Sequence, residues 1–147
     1  MTAIQIRPAS IEDADTLAAL SGQLGSPSIA EDIAGRLSLV LERDDHLTLV
    51  AEKSGKVVGW LHAFVAFRVE SPAFAEIGEL VVTESERGQG IGKLLVGSAS
   101  QWAHSKGLQN LRVRSNMIRK NALAFYLHIG FQELKNQTVF SMATPVE

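Results

Sequence analysis

The stretch Leu80-Val81-Val82-Thr83-Glu84-Ser85-Glu86-Arg87-Gly88-Gln89-Gly90-Ile91-Gly92-Lys93 carries the plainest chemical signal in the chain. An apolar run ends, a basic residue follows, and three alternate glycines lead into a helical pattern. The first amides of a helix have no partner within it, so they form an anion site. Glycine lets phosphate oxygens approach the backbone closely, and Arg87 and Lys93 add positive charge. Two familiar phosphate loops do not fit. The P-loop needs four residues between its first glycine and Gly-Lys, then Ser or Thr; here three residues separate Gly88 from Gly92, and Leu94 follows Lys93. The dinucleotide fingerprint needs glycine at its sixth position, which is Lys93 counted from Gly88 and Leu95 counted from Gly90. No hydroxyl is offered to magnesium, and no acid lies about 20 residues further on to hold a ribose. A metal-free diphosphate cradle remains, or else a tight turn that lets helix and strand pack closely.

Other residues have types that suit chemistry. Tyr126, the single tyrosine, falls on a helical pattern with Ala122, Phe125 and Ile129. It is either one more aromatic on a buried stripe or a phenol able to protonate a leaving group. Glu76 and Glu79 precede the glycine loop on one strand. Strict alternation puts them on opposite faces; a bulge at Gly78 would change that. Each is a solvated carboxylate or a group for general acid–base work. His46, His62, His104 and His128 show no metal-ligand spacing, so no metal site is expected. His62 alternates within a strand and either faces a pocket or packs. Trp60, Phe64 and Phe67 line that pocket or fill the core. Arg112, Arg114, Arg119 and Lys120 meet a phosphate or simply face solvent.

The elements that must position these residues follow from hydrophobic period and punctuation. Ala3–Arg7 is a short strand ended by Pro8. Ser10 caps a helix to Leu20, with Asp13 as its capping-box partner. A second helix runs over Ser28–Glu42. Strands follow at Leu47–Glu52 and Val57–Phe67 around the turn Ser54-Gly55, and at Phe74–Val82. The glycine loop opens a helix to about Ser105 that Gly107 stops. Leu111–Arg114 is a strand and Lys120–Ile129 a helix stopped by Gly130. Gln132–Leu134 and Thr138–Met142 are expected as two last strands. Hairpins mixed with crossover helices predict a mixed sheet and not a doubly wound one.

Composition sets the outer limits. The chain has 147 residues, one domain by length, with 46% hydrophobic and 20% charged residues, which excludes disorder. It has no cysteine, which excludes a disulfide scaffold and a thiol nucleophile and suits a cytoplasmic chain. No signal-type or membrane-length apolar run is read. The net charge of −2 conceals an asymmetry: residues 1–86 sum to −8 and residues 87–147 to +6. A basic half suggests an anionic ligand, or two halves that neutralise each other. It lacks interleaved aromatics, so no nucleic-acid partner is expected.

Arg87-Gly88-Gln89-Gly90-Ile91-Gly92 resembles the Arg/Gln-x-x-Gly-x-Gly/Ala signature of the GNAT N-acetyltransferase superfamily. Leu80-x-Val82 is similar to that family's fourth strand. Ala122-Leu123-Ala124-Phe125-Tyr126 with Gly130-Phe131 is similar to its second motif, and the opening Ile6-Arg7-Pro8-Ala9-Ser10 with Asp13-Ala14 is also typical. The resemblance spans essentially the whole chain. It implies the acyl-CoA N-acyltransferase fold, an α/β (α+β) domain over residues 1–147. Its central sheet would be mixed and mostly antiparallel, with about seven strands flanked by about four helices. It implies acetyl-CoA as acetyl donor in a cleft between the fourth and fifth strands. Arg87, Gly88, Gln89, Gly90, Ile91, Gly92 and Lys93 would hold the pyrophosphate, and Leu80, Val81 and Val82 the pantetheine arm. Many members have Asn seven residues before the tyrosine; this chain has Arg119 there, with Asn121 and Asn116 nearby, and Asn121 is taken as the cofactor contact.

Tyr126 would face the cofactor sulfur, and Glu79, with Glu76 second, would be base or substrate ligand. The implied activity is acetyl transfer to a primary amine of a small molecule, by direct attack with the Val82 amide polarising the carbonyl. A silent acyl-CoA-binding module, or an enzyme acting on a protein N-terminus or lysine, is the alternative. A homodimer through the last strands is a family-level expectation.

Overall fold

The structure, a computed structural model, describes residues 3–24, 28–115 and 120–145. Strand β1 is Ile4–Pro8, α1 Ala14–Gly22, α2 Ala30–Val40, β2 His46–Lys53, β3 Lys56–Ala66 and β4 Phe74–Val82. Helix α3 follows at Ile91–Ser105, then β5 at Leu111–Val113 and α4 at Lys120–His128. The chain divides into two compact units, Met1–Arg114 and Ser115–Glu147.

In the first unit the strands lie in sequence order, β1 to β5. The first four pair antiparallel and β5 joins β4 in parallel. This is the expected mixed, mostly antiparallel sheet. Among the described residues it has five strands where about seven were expected. Gln132–Leu134 and Thr138–Met142 form no strand, and Leu134, Val139, Phe140 and Met142 stand exposed. The physical reason is that a ladder needs a neighbour. An alternating pattern fits a pleated surface, but it cannot state whether another edge is in reach.

Helix α1 and α2 cover one face of the sheet. Leu17, Leu20 and Leu37 pack there with Val50, Trp60 and Val81. Burying a leucine of this kind is worth about 1.5–3 kcal/mol. Helix α3 covers the other face with Ile91, Leu95, Ala99 and Ala103, a four-residue spacing that makes one buried stripe. Gly59 permits the approach: a Cβ there would sit 3.0 Å from the Val81 carbonyl and 3.4 Å from Ile91 and Leu95. At the sheet's start, Arg7 grips Asp13 through both guanidinium ends at 2.9 Å and Glu52 through Nε at 2.8 Å. Asp13 also accepts the Ser10 amide at 2.8 Å, the back-bond of a capping box. The Arg7 bonds above all hold the Asp13 carboxyl below its ordinary range. Ile11 is exposed, in a 3-10 turn at Ile11–Asp13 that precedes the helix.

In the second unit α4 ends in a Schellman stop. The Phe131 amide donates to the Tyr126 carbonyl at 3.0 Å and the Gly130 amide to that of Leu127 at 3.3 Å. Gly130 takes φ +116, and the Tyr126 and Phe131 rings meet edge to face. The spacing Tyr-x-x-x-Gly-Phe is thus what such a stop requires: C3, the left-handed C′, and the apolar residue after it. No described helix is long and apolar enough to cross a membrane.

Candidate active site

Strand β4 is the hinge of the site. Its parallel pairing to β5 covers only Ala75–Leu111, Glu76–Arg112 and Ile77–Val113. From Glu79 to Val82 it pairs with β3 and lies beyond the end of the β5 ladder. The Thr83 amide donates to the carbonyl of Val58, the residue one step past the Gly59–Val82 pair. Antiparallel ladders alternate bonded and non-bonded pairs. The pairs Gly59–Val82 and Leu61–Leu80 are therefore non-bonded, and the backbone groups of Leu80 and Val82 point away from β3, into the opening. Arg87 Nε donates to the Val82 carbonyl at 3.1 Å, which leaves the Val82 amide directed there.

Beyond β4 the chain turns through a 3-10 segment at Glu84–Glu86 into the glycine loop. Gly88 and Gly90 adopt φ +82 and +84, the left-handed region that favours glycine, and a Cβ at either would meet nothing within 4 Å. Gly90 is the N-cap of α3 and no side chain caps it; the first intrahelical bond is the Leu94 amide to the Gly90 carbonyl at 3.1 Å. The amides of Ile91, Gly92 and Lys93 are thus ahead of the helical ladder, beside open space. They suit a diphosphate. Lys53 reaches in from β2, at 2.7 Å from Glu86 and 3.1 Å from the Gln89 side-chain oxygen. This contact holds the Glu86 carboxyl below its ordinary range.

Gly78 is a bulge. His62 pairs with Glu79 and Ala63 with Ile77, so Gly78 is the extra residue. Paired residues share a face, and Glu76, opposite Phe64, lies on the same face as Glu79, opposite His62. Strict alternation had separated the two carboxylates; the bulge unites them. Glu76 accepts from Arg114 Nε at 3.3 Å. Arg112 lies 3.9 Å over the Phe74 ring, so both arginines of β5 and its end are engaged within the unit. Trp60 is core, Phe67 is exposed, and Phe64 stacks on two histidines, His46 and His62. His46 carried no signal in the sequence, since its neighbour His62 stands 16 residues away across a hairpin.

Tyr126 and Asn121 stand on α4 in the second unit, Asn121 exposed and Tyr126 against Phe125 and Phe131. Arg119 and Asn116 lie outside the described residues.

A model of the Acetyltransferase (GNAT) family matches residues 17–131. The chain belongs to the GNAT family. Its relatives differ in length. It is 30% identical over 139 residues to an aminoalkylphosphonate N-acetyltransferase of Salmonella typhimurium, covering 90% of this chain and 88% of that one. It is 31% identical over 96 residues to an uncharacterized N-acetyltransferase of Methanocaldococcus jannaschii, covering 64% of this chain. There the chain spans only 42% of the relative's length. Among solved structures, AAC(6')-Iy in complex with the bisubstrate analogue CoA-S-monomethyl-acetylneamine superposes with TM-score 0.85 at 16% identity, over 97% of this chain and 99% of that one. This likeness establishes the GNAT fold.

Proposed function

We propose that the chain transfers the acetyl group of acetyl-CoA to a primary amine of a small molecule, by direct attack within a ternary complex. The observation that carries this reading is the parting of β4 from β5 after Ile77, immediately before a glycine loop with uncapped helix amides. A donor of this kind needs two holds in that order: an unpaired strand edge for its amide-bearing arm and a nest of amides for its pyrophosphate. Leu80, Val81 and Val82 supply the first, and Arg87 to Lys93 the second. The open space at Gly88 and Gly90 fits a bulky phosphate group.

When bound, the donor supplies an activated acyl thioester. The Val82 amide hydrogen-bonds the thioester carbonyl and stabilises the charge that develops there. Glu79, next to Leu80 at the opening, binds the amine or takes its proton through water, with Glu76 second. Tyr126 gives a proton to the departing thiolate, and Asn121 contacts the cofactor. These last two roles rest on the family resemblance. Most of the rate comes from holding two substrates together. A small-molecule acceptor is supported by the Salmonella relative of matching length, which by its name acts on aminoalkylphosphonates.

Calorimetry with coenzyme A, followed by a thiol-release assay over a panel of aminophosphonates, aminoglycosides, polyamines and amino acids, tests the reading. The expected result is coenzyme A binding and thiol release that depends on one class of amine. No heat at millimolar coenzyme A overturns it; binding with no amine turned over points to a silent acyl-CoA-binding module.

A further inference from the structure

The face that carries Glu76 and Glu79 also carries a histidine pair that the mechanism above does not use. A second bulge builds that pair. Ala51 lies opposite Gly59 but Glu52 opposite Val57, so Val58 is an extra residue in β3. The shift sets His46 opposite Phe64 and Thr48 opposite His62. A ladder continued unbroken from Glu52–Val57 would put His46 opposite Ala63, on the other face from His62.

The two imidazoles stack with centroids 5.2 Å apart, and His46 Nδ1 lies 2.9 Å from His62 Nε2. Phe64 stacks on both. The other nitrogen of His62, Nδ1, lies over the bulge: a Cβ on Gly78 would sit 3.0 Å from it. Only glycine leaves that nitrogen uncovered from this side. Among the described residues of the first unit, the titratable groups that face His62 are His46 from β2 and Glu79 and Glu76 from β4. The charged residues of α1 and α2 (Asp15, Glu31, Asp32 and Arg36) are all exposed, and α3 packs on the opposite face. Loss of solvent first, and His46 second, push the His62 pKa down to about 4. Such a ring passes protons without storing charge.

We propose that the His46–His62 pair is the exit route for the proton that the acceptor amine loses before attack. His62 Nδ1 takes the proton from the ammonium. His62 Nε2–H passes its own proton to His46 Nδ1, and His46 releases one from Nε2 to water. Each ring gains one N–H bond and loses another, so both end neutral in the other tautomer, and exchange with water resets them. The amine keeps its lone pair for the thioester carbonyl. This inference rests on the amine-acetylation reading, with Glu79 binding the ammonium and not deprotonating it, and adds a group that touches the substrate, His62, and one that acts through it, His46.

Two measurements test it on the intact protein. Histidine 15N NMR at pH 7 is expected to find His62 protonated on Nε2 and bare on Nδ1; a proton on Nδ1 overturns the route. Kinetics use 2-aminoethylphosphonate and kanamycin as acceptor probes. His62→Gln is expected to lower kcat about 100-fold and flatten its pH profile, with KM for acetyl-CoA unchanged and partial rescue by imidazole. His46→Gln is expected to lower kcat about tenfold. Gly78→Ala, whose methyl would cover Nδ1, lowers kcat while circular dichroism stays native. His104→Gln, at the far end of α3, keeps wild-type rates. Wild-type kcat and pH profile in His62→Gln refute the relay and leave the acetyltransferase reading standing. A wild-type protein that binds coenzyme A but acetylates neither probe nor any amine of the panel defeats both.

Discussion

The two halves of β4 share one strand and differ in one partner. Ala75–Ile77 is paired on both edges, and this half of the strand carries Phe74, Ala75 and Ile77 in the core. Glu79–Val82 keeps β3 and lies beyond the β5 ladder, and the outward amides of Leu80 and Val82 face an opening. The first half is built for stability and the second for binding, and the change falls at a bulge. A strand can hold a fold with one edge and a ligand with the other, provided the ladder on the first edge stays intact.

That contrast can be broken from either side. Phe74→Ala should have the largest effect. It removes a ring that is 2% exposed and capped by Arg112, at a cost of about 3–5 kcal/mol. Denaturant unfolding would show the loss, while coenzyme A affinity of the folded fraction stays unchanged. Val82→Pro should do the converse. Proline removes an amide that the β3 ladder does not use, so melting temperature should hardly move, while kcat falls about 10²- to 10³-fold. A large loss of stability would show that the amide is bonded within the sheet after all.

Asp13→Asn probes the closed region away from the opening. Its carboxylate holds Arg7 and the Ser10 amide, and bonds to charged groups are worth about 1.5–3 kcal/mol each. Because the folded pKa is lowered, the contribution is present above the unfolded pKa of about 3.9 and is lost as pH falls through the folded value. Acid titration of stability should therefore flatten below about pH 4 in the variant. Gly90→Ala is the smallest. Left-handed backbone costs a non-glycine residue about 1–2 kcal/mol, and nothing crowds the methyl. A modest drop in stability should accompany weaker coenzyme A binding by calorimetry.

Much of this arrangement was legible in the residues. The span Phe74–Val82 was readable because apolar residues run between a Pro-containing loop and the glycine stretch. The helix after Gly90 and the stops at Gly107 and Gly130 were readable because left-handed caps demand glycine at those places. The bulges were less so. Gly78 stood out as a candidate, but whether a residue is extra depends on the opposing strand. Val58 gave no sign at all, and the His46–His62 contact follows from it. The last strands failed for a related reason: Thr138–Met142 has the composition of a strand, yet pairing is a property of two segments.

Val58 and Gly78 have one further consequence. Which side of a sheet a residue occupies is a parity, and each bulge reverses it for everything downstream. Inserting or deleting one residue between Lys53 and His62 would exchange the imidazole for a core neighbour, whereas a change of two would return it. Loop engineering in this hairpin should therefore move in even steps, and an odd step that leaves folding untouched would still dismantle the face bearing His62 and Glu79.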